Sequence, residues 1–399
     1  MITGDIGAAL GLDASGTWRP PPGADGAPGT YATSLPFSAA RSAGEEPRQV
    51  AAALAAKLRA VGWVVDASVT GGGYLTVAVT PEALATLAVR VPAAGAGCAA
   101  SNALGGRRFP APPAADLASA TGWDQAWDLV AAEVTARLAA AAGAQIMKVK
   151  TFAERLPPAN LATQVTVHAG KERPSAIHPA GRERPLAGPG PSGTPQEEQG
   201  PAPAGEAQVG PGRSLADRAA RTGERTGPGD AAAVAGAEAV HYALARTPFH
   251  RARLISPMTY VRNNLENPFF AVRYAHTRAA SVLRWAGDLG IDRGEPEEFR
   301  PQLLAQPGER ELLGAISWLP ERAASAARRR RPDAFARYLE WLASSWLGCA
   351  ENCPALPFGG RSAPQDQAGT AARLWLAAAA ATALETCLRL VGVTPPERL

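Results

Sequence analysis

A chain of 399 residues, 46% of them hydrophobic, can fill the cores of two or three domains, which excludes a wholly unfolded or fibrous protein. The net charge is +4 and the pI about 9.0, a mild lean toward anionic partners, carried by arginine because lysine occurs only at Lys57, Lys148, Lys150 and Lys171. The four cysteines form no CxxC pair, the N-terminus lacks a basic and apolar leader, and the Ala-rich run Leu374 to Ala383 is broken by Thr382, so the expectation is a cytoplasmic protein with reduced thiols, no metal, no cofactor and no membrane span.

In chain order, Pro47 opens a predicted helix whose apolar residues Val50, Leu54, Leu58 and Val61 recur every three or four positions. Residues 63–69 and 74–79 read as strands joined by Thr70-Gly71-Gly72-Gly73, and Pro81 starts another helix. Together they predict a small α+β module over residues 1–95. An extension over 96–152 carries a helix within 116–146, with Trp123, Trp127, Val130, Val134 and Leu138 on one face. No aromatic residue lies between Phe152 and Tyr242, and the Pro- and Gly-rich composition predicts a disordered linker over 153–236. Residues 237–399 predict a helical bundle, with helices near 310–330, 332–347 and 369–391 and a stripe Val272, Ala275, Ala279, Val282, Ala286 and Leu289 facing its core. The fold class expected is therefore mainly α, with a small N-terminal α+β module and a C-terminal helical bundle joined by that linker.

Chemistry is sparse. No GxxxxGK[ST] loop occurs, Gly71-Gly72-Gly73 is too short for a phosphate cradle, and the scattered Ser, His and Asp residues show no catalytic spacing. Tyr274 and Arg278, one helical turn apart, can offer a flat ring and a fork of donors to one unstacked base. The run Arg328 to Arg331 is either a solvated helix end or a site for a phosphate backbone.

The stretch Asn267-Pro268-Phe269-Phe270-Ala271-Val272-Arg273-Tyr274-Ala275-His276-Thr277-Arg278 and the ending Gly392-Val393-Thr394-Pro395-Pro396-Glu397-Arg398-Leu399 resemble the DALR-type anticodon-binding domain of arginyl-tRNA synthetases. Tyr338-Leu339, Leu342-Ala343 and Cys353 keep that family's spacing, and with the run-in His241 to Arg246 the resemblance covers about residues 237–399. More weakly, Tyr31-Ala32-Thr33-Ser34 and Gly72-Gly73-Tyr74-Leu75-Thr76-Val77 resemble the family's N-terminal, D-loop-binding module. The resemblance implies tRNA contacts by Tyr74, Thr76, Arg273, Tyr274, Arg278, Trp346, Arg398 and Leu399, with an internal hydrogen-bonding role for His276. Arg273 stands where the family often has Gln, and Cys349-Ala350 where it commonly has Phe-Tyr. The family's His-x-Gly-His and Lys-Met-Ser-Lys elements are missing, which predicts a catalytically inactive tRNA-binding relative, with arginine tRNA as partner and a second translation protein as a further one. The alternatives are an arginine–tRNA ligase and a protein-interaction subunit without RNA affinity.

Overall fold

The computed structural model describes residues 1–20, 27–113, 116–147, 227–356 and 364–399. The predicted linker lies outside the described residues up to position 226. Its last part differs from expectation: Pro228–Ala235 is a helix, started by Pro228 with Asp230 accepting from the Gly227 amide at 3.3 Å.

The N-terminal module begins with α1 (Ile2–Leu10), which stops at Gly11 in the left-handed conformation. Strands β1 (Trp18–Arg19), β2 (Thr30–Thr33), β3 (Val64–Thr70) and β4 (Tyr74–Val79) form one antiparallel sheet in the order β1-β2-β4-β3. Helices α2 (Leu35–Ala43) and α3 (Pro47–Arg59) fall between β2 and β3. The Gly71-Gly72-Gly73 turn closes the β3–β4 hairpin with Gly71 and Gly73 both at positive φ, a conformation that suits glycine alone. Along β4 the side chains alternate: Leu75, Val77 and Val79 are buried, while Tyr74, Thr76 and Ala78 occupy the other, half-buried face. Helices α4 (Pro81–Ala85) and α5 (Leu87–Ala94) follow, then β5 (Arg108–Pro110), α6 (Trp123–Ala141) and β6 (Gln145–Met147), the two short strands pairing in parallel.

The remaining helices are α7 (Pro228–Ala235), α8 (Ala237–Arg246), α9 (Pro257–Val261), α10 (Pro268–Asp288), α11 (Pro307–Ser317), α12 (Leu319–Arg329), α13 (Pro332–Asn352) and α14 (Pro364–Leu390). The single helix expected over 310–330 is two, because Pro320 lacks an amide hydrogen and its ring clashes with the carbonyl one turn back. Leu289, expected to face the core, is 64% exposed: α10 ends at Asp288, and the apolar stripe has no partner beyond it. The last helix is long and apolar enough to cross a membrane by composition, yet 72% of its most apolar window is buried among its neighbours, as in a core helix.

The linear sequence does not disclose that the α+β module and the bundle share one continuous hydrophobic core. Tyr31 from β2 is fully buried against Trp18 and Trp318, its ring 5.1 Å from that of Trp318. Leu87, Ala88 and Val91 of α5 are equally buried, and the Cys98 thiol lies 3.4 Å from the Thr386 hydroxyl of α14. Helix α6 is embedded too: the Trp127 indole donates to the Thr247 carbonyl at 2.7 Å, and Arg137 donates to the Arg389 carbonyl at 3.1 Å. All of the described residues fall in one compact unit.

Candidate nucleic-acid interface

Helix α10 is built to start at one place. The Asn267 side chain is buried, its Oδ1 accepting from the Phe269 amide at 3.0 Å while its Nδ2 donates to the carbonyls of Tyr260 and Arg262 at 3.0 and 2.7 Å. Pro268 follows at the first turn, where its missing amide hydrogen costs nothing. The Asn-Pro pair therefore fixes the rotation of the helix and with it which residues face outward. Phe269, Val272, Ala275 and Ala279 enter the core.

Outward lies a short ridge. Tyr274 is half-buried and stacks on Phe270 with centroids 5.7 Å apart and planes 13° apart, so the phenol ring is backed on one side. Arg278, one turn on, is exposed and makes no ion pair among the described residues. Arg273 packs its guanidinium 4.9 Å from the Phe269 ring, and its buried Nε has no partner among the described residues. Beside the ridge a cavity of about 240 Å³ is bordered by Arg278, Trp285, Trp346, Cys349, Ala350 and Arg373, among others. Its wall includes the Cys349-Ala350 pair that replaces the aromatics implied by the resemblance. Trp346 is 3% exposed, so it contributes a wall and not an open stacking face. Arg373 is held by the buried Glu309, to which its Nε donates at 2.7 Å, so that among the described residues Arg278 is the cation at the rim without an ion pair. Burial pushes the Cys349 thiol up to about 12, leaving it a neutral wall residue.

The C-terminal tail is latched across α10. Gly392 ends α14 at φ 83, and a Cβ there would lie 2.5 Å from His241 Nε2, so the turn requires glycine. His276 Nδ1 then donates to the Pro396 carbonyl at 3.1 Å, and Arg284 donates to the Glu397 carbonyl at 3.1 Å. Burial lowers the pKa of His276, keeping the ring neutral. These contacts bring the tail carrying the exposed Arg398 and Leu399 alongside the helix.

Tyr74 and Thr76 are elsewhere, on the outer face of the N-terminal sheet. The Arg19 guanidinium carbon lies 3.8 Å from the centre of the Tyr74 ring, with Phe37 at 4.8 Å, and the Thr76 hydroxyl is 3.2 Å from that of Thr70. The candidate residues thus form two groups. Phe270 escaped the sequence reading although its i,i+4 spacing to Tyr274 carries the signal; Arg373 had no local signal at all.

Such a bundle, with an aromatic and arginine ridge beside a small apolar cavity, has the character of a surface for splayed bases. Comparison with known proteins is more specific: residues 272–399 match the DALR anticodon binding domain, and residues 23–79 match the arginyl tRNA synthetase N terminal domain. The arginine–tRNA ligase of Renibacterium salmoninarum is 36% identical over 164 residues, 41% of this chain and 29% of that protein. That of Clavibacter sepedonicus is 37% identical over 164 residues, 41% of this chain and 28% of that one. The chain thus spans less than a third of the length of these relatives. The arginyl-tRNA synthetase structure from Thermus thermophilus aligns over the whole of both chains with a TM-score of 0.52 at 16% identity, a likeness of fold. The two matched domains are therefore homologous to parts of arginine–tRNA ligases.

The missing His-x-Gly-His and Lys-Met-Ser-Lys elements point to a chain without enzymatic activity, and the comparisons overturn that expectation. The relatives named above are arginine–tRNA ligases, each matched over less than a third of its length.

Proposed function

We propose that this chain acts in the ligation of arginine to tRNA, and that its helical domain contributes by holding the tRNA anticodon. The observation that carries this reading is Tyr274: a half-buried ring backed by Phe270, one turn from Arg278, which is exposed and has no ion pair among the described residues, inside the segment that matches the anticodon binding domain. A pre-oriented ring costs little entropy when a base stacks on it, and an exposed guanidinium beside it can take a base edge or the adjoining phosphate. Arg273, Arg398 and Leu399 frame the same helix, and Trp346 shapes the cavity wall. Tyr74 and Thr76 supply a second, weaker contact to the D-loop side of the tRNA, since Arg19 already covers the Tyr74 ring.

Two measurements test the proposal. Filter binding of arginine tRNA should show a loss of about 1–3 kcal/mol, roughly 5- to 150-fold, for Tyr274→Ala with unchanged thermal stability. Arginine- and ATP-dependent charging should respond to the chain, supplied alone or beside a full-length ligase, and Tyr274→Ala should reduce that response. Unaltered tRNA affinity in Tyr274→Ala would sink the anticodon role and favour an interaction subunit.

A further inference from the structure

Where the N-terminal module meets the bundle, arginines from three separate parts of the chain converge. Arg322, Arg328 and Arg329 of α12 and Arg19 of β1 border a cavity of about 380 Å³. Arg328 also borders a second cavity of about 350 Å³, lined by Arg107, Arg108, Phe109 and Arg330, so the two adjoin at that side chain and together make up one basic trough. None of these arginines is in an ion pair among the described residues, where the nearby Arg331 is paired with Asp333. Like charges gathered without counter-charges repel one another, and such a field is relieved by an anion from outside.

The carboxyl group bordering the trough does not supply that relief. Glu321 is 6% exposed and lies 3.5 Å from the Gly16 amide, which donates to it; burial pushes its pKa up to about 7, so near neutral pH much of it is uncharged. A plain structural reason covers part of the cluster, since cations are favoured at the C-terminal end of α12. It does not cover Arg19, Arg107 and Arg108, which belong to other elements. Nor does it explain Arg330, which adopts φ 52, a left-handed conformation where glycine is favoured, in a chain containing 41 glycines. Gly16, from the N-terminal module, leaves room for the Arg328 guanidinium, which would lie 2.9 Å from a Cβ at that position. The half-buried Phe109 ring adds a flat apolar surface among the charges.

We infer that this trough binds the sugar–phosphate backbone of RNA, forming a second contact distinct from the α10 ridge. Guanidinium groups bind phosphate oxygens through charge-assisted hydrogen bonds, and Phe109 offers a platform to an unstacked base. The inference rests on the proposed tRNA-binding role only for the identity of the RNA.

The test uses the full chain, arginine tRNA and potassium chloride from 50 to 200 mM. Arg107→Ala, Arg108→Ala and Arg328→Ala are combined in one variant; all three side chains are exposed, so the core is untouched. The slope of log K against log salt should fall in magnitude by about 2–3, and the corresponding triple lysine variant should restore it. Arg41→Ala, an exposed residue of the N-terminal module, should leave the slope unchanged. Tyr274→Ala should lower affinity while keeping the slope. A triple alanine variant that is folded, by its thermal unfolding curve, and retains wild-type affinity and slope overturns the trough, even if Tyr274→Ala has lost binding. If the alanine variant loses slope while Tyr274→Ala binds normally, the trough stands and the anticodon reading falls. Absence of salt-dependent tRNA binding by the wild-type chain overturns the trough as well.

Discussion

Tyr74 and Tyr274 are both half-buried tyrosines in segments that match synthetase domains, yet their surroundings differ in kind. Tyr274 stands on a helix and is backed by a parallel Phe270 ring, with the exposed Arg278 one turn away. Tyr74 stands on a strand, edged by Phe37, and the Arg19 guanidinium lies over its ring. A base stacking at Tyr274 adds to an existing stack. A base seeking the Arg19-covered side of Tyr74 must first displace a cation–π contact, worth about 0.5–1 kcal/mol at an exposed site. The lesson is that an aromatic residue in a matching motif is a binding platform only to the extent that its neighbours leave a face open.

A third tyrosine gives that comparison its upper bound. Tyr31 is fully buried between Trp18 and Trp318, at the seam of the two modules. Tyr31→Ala should cost roughly 3–5 kcal/mol of stability, measured by denaturant unfolding, because it empties an aromatic site that cannot collapse easily. It should also make the two modules unfold in separate transitions. A single transition at the wild-type midpoint would show that the seam contributes nothing.

Tyr274→Ala comes next, with the loss of about 1–3 kcal/mol in tRNA binding and little change in stability. If its effect fell on stability and not on binding, the stack with Phe270 would be a packing device. Tyr74→Ala should be smaller, about 0.5–1 kcal/mol in either property. An effect on tRNA affinity as large as that of Tyr274→Ala would erase the distinction between the two rings.

The smallest effect expected is one of pH on the tail latch. Burial lowers the pKa values of His276 and His241, so both are neutral in the folded state. Their contribution is fully present above the unfolded value of about 6.5 and is lost as pH falls through it toward the lowered folded values. Glu321 acts with the opposite sign: its raised value makes stability fall as pH rises from its ordinary 4.5 toward about 7. In a Glu321→Gln background the midpoint of thermal unfolding should therefore drop more clearly between pH 7 and 5, and His276→Gln should flatten that drop. A drop of the same size with both histidines replaced by Gln would assign the effect to other groups.

Much of the local architecture could be read in advance because its causes are local. Pro47, the glycine turn after Thr70, the Asn267-Pro268 start and the periodic apolar residues of α6 and α10 each act within a few positions. The Tyr274 and Arg278 pair was legible for the same reason, since 3.6 residues per turn sets their spacing. Pro320 carried a local signal too, and the break at Trp318 shows that it outweighed the apolar periodicity around it.

Other features had no local cause to read. The burial of Trp346, the exposure of Leu289 and the hold of Glu309 on Arg373 depend on which helix lies opposite. The shared core that joins Tyr31 to Trp318, and the trough that gathers Arg19, Arg108 and Arg328, depend on contacts between residues far apart in the chain. The sequence by itself determined the helices started by Pro47 and Asn267-Pro268, the periodic face of α6, the hairpin and the domain matches, because backbone propensity and side-chain period act over a few residues. Only the tertiary structure decided which faces were covered and which charges were left unpaired, because burial and Coulomb energy depend on distance in space.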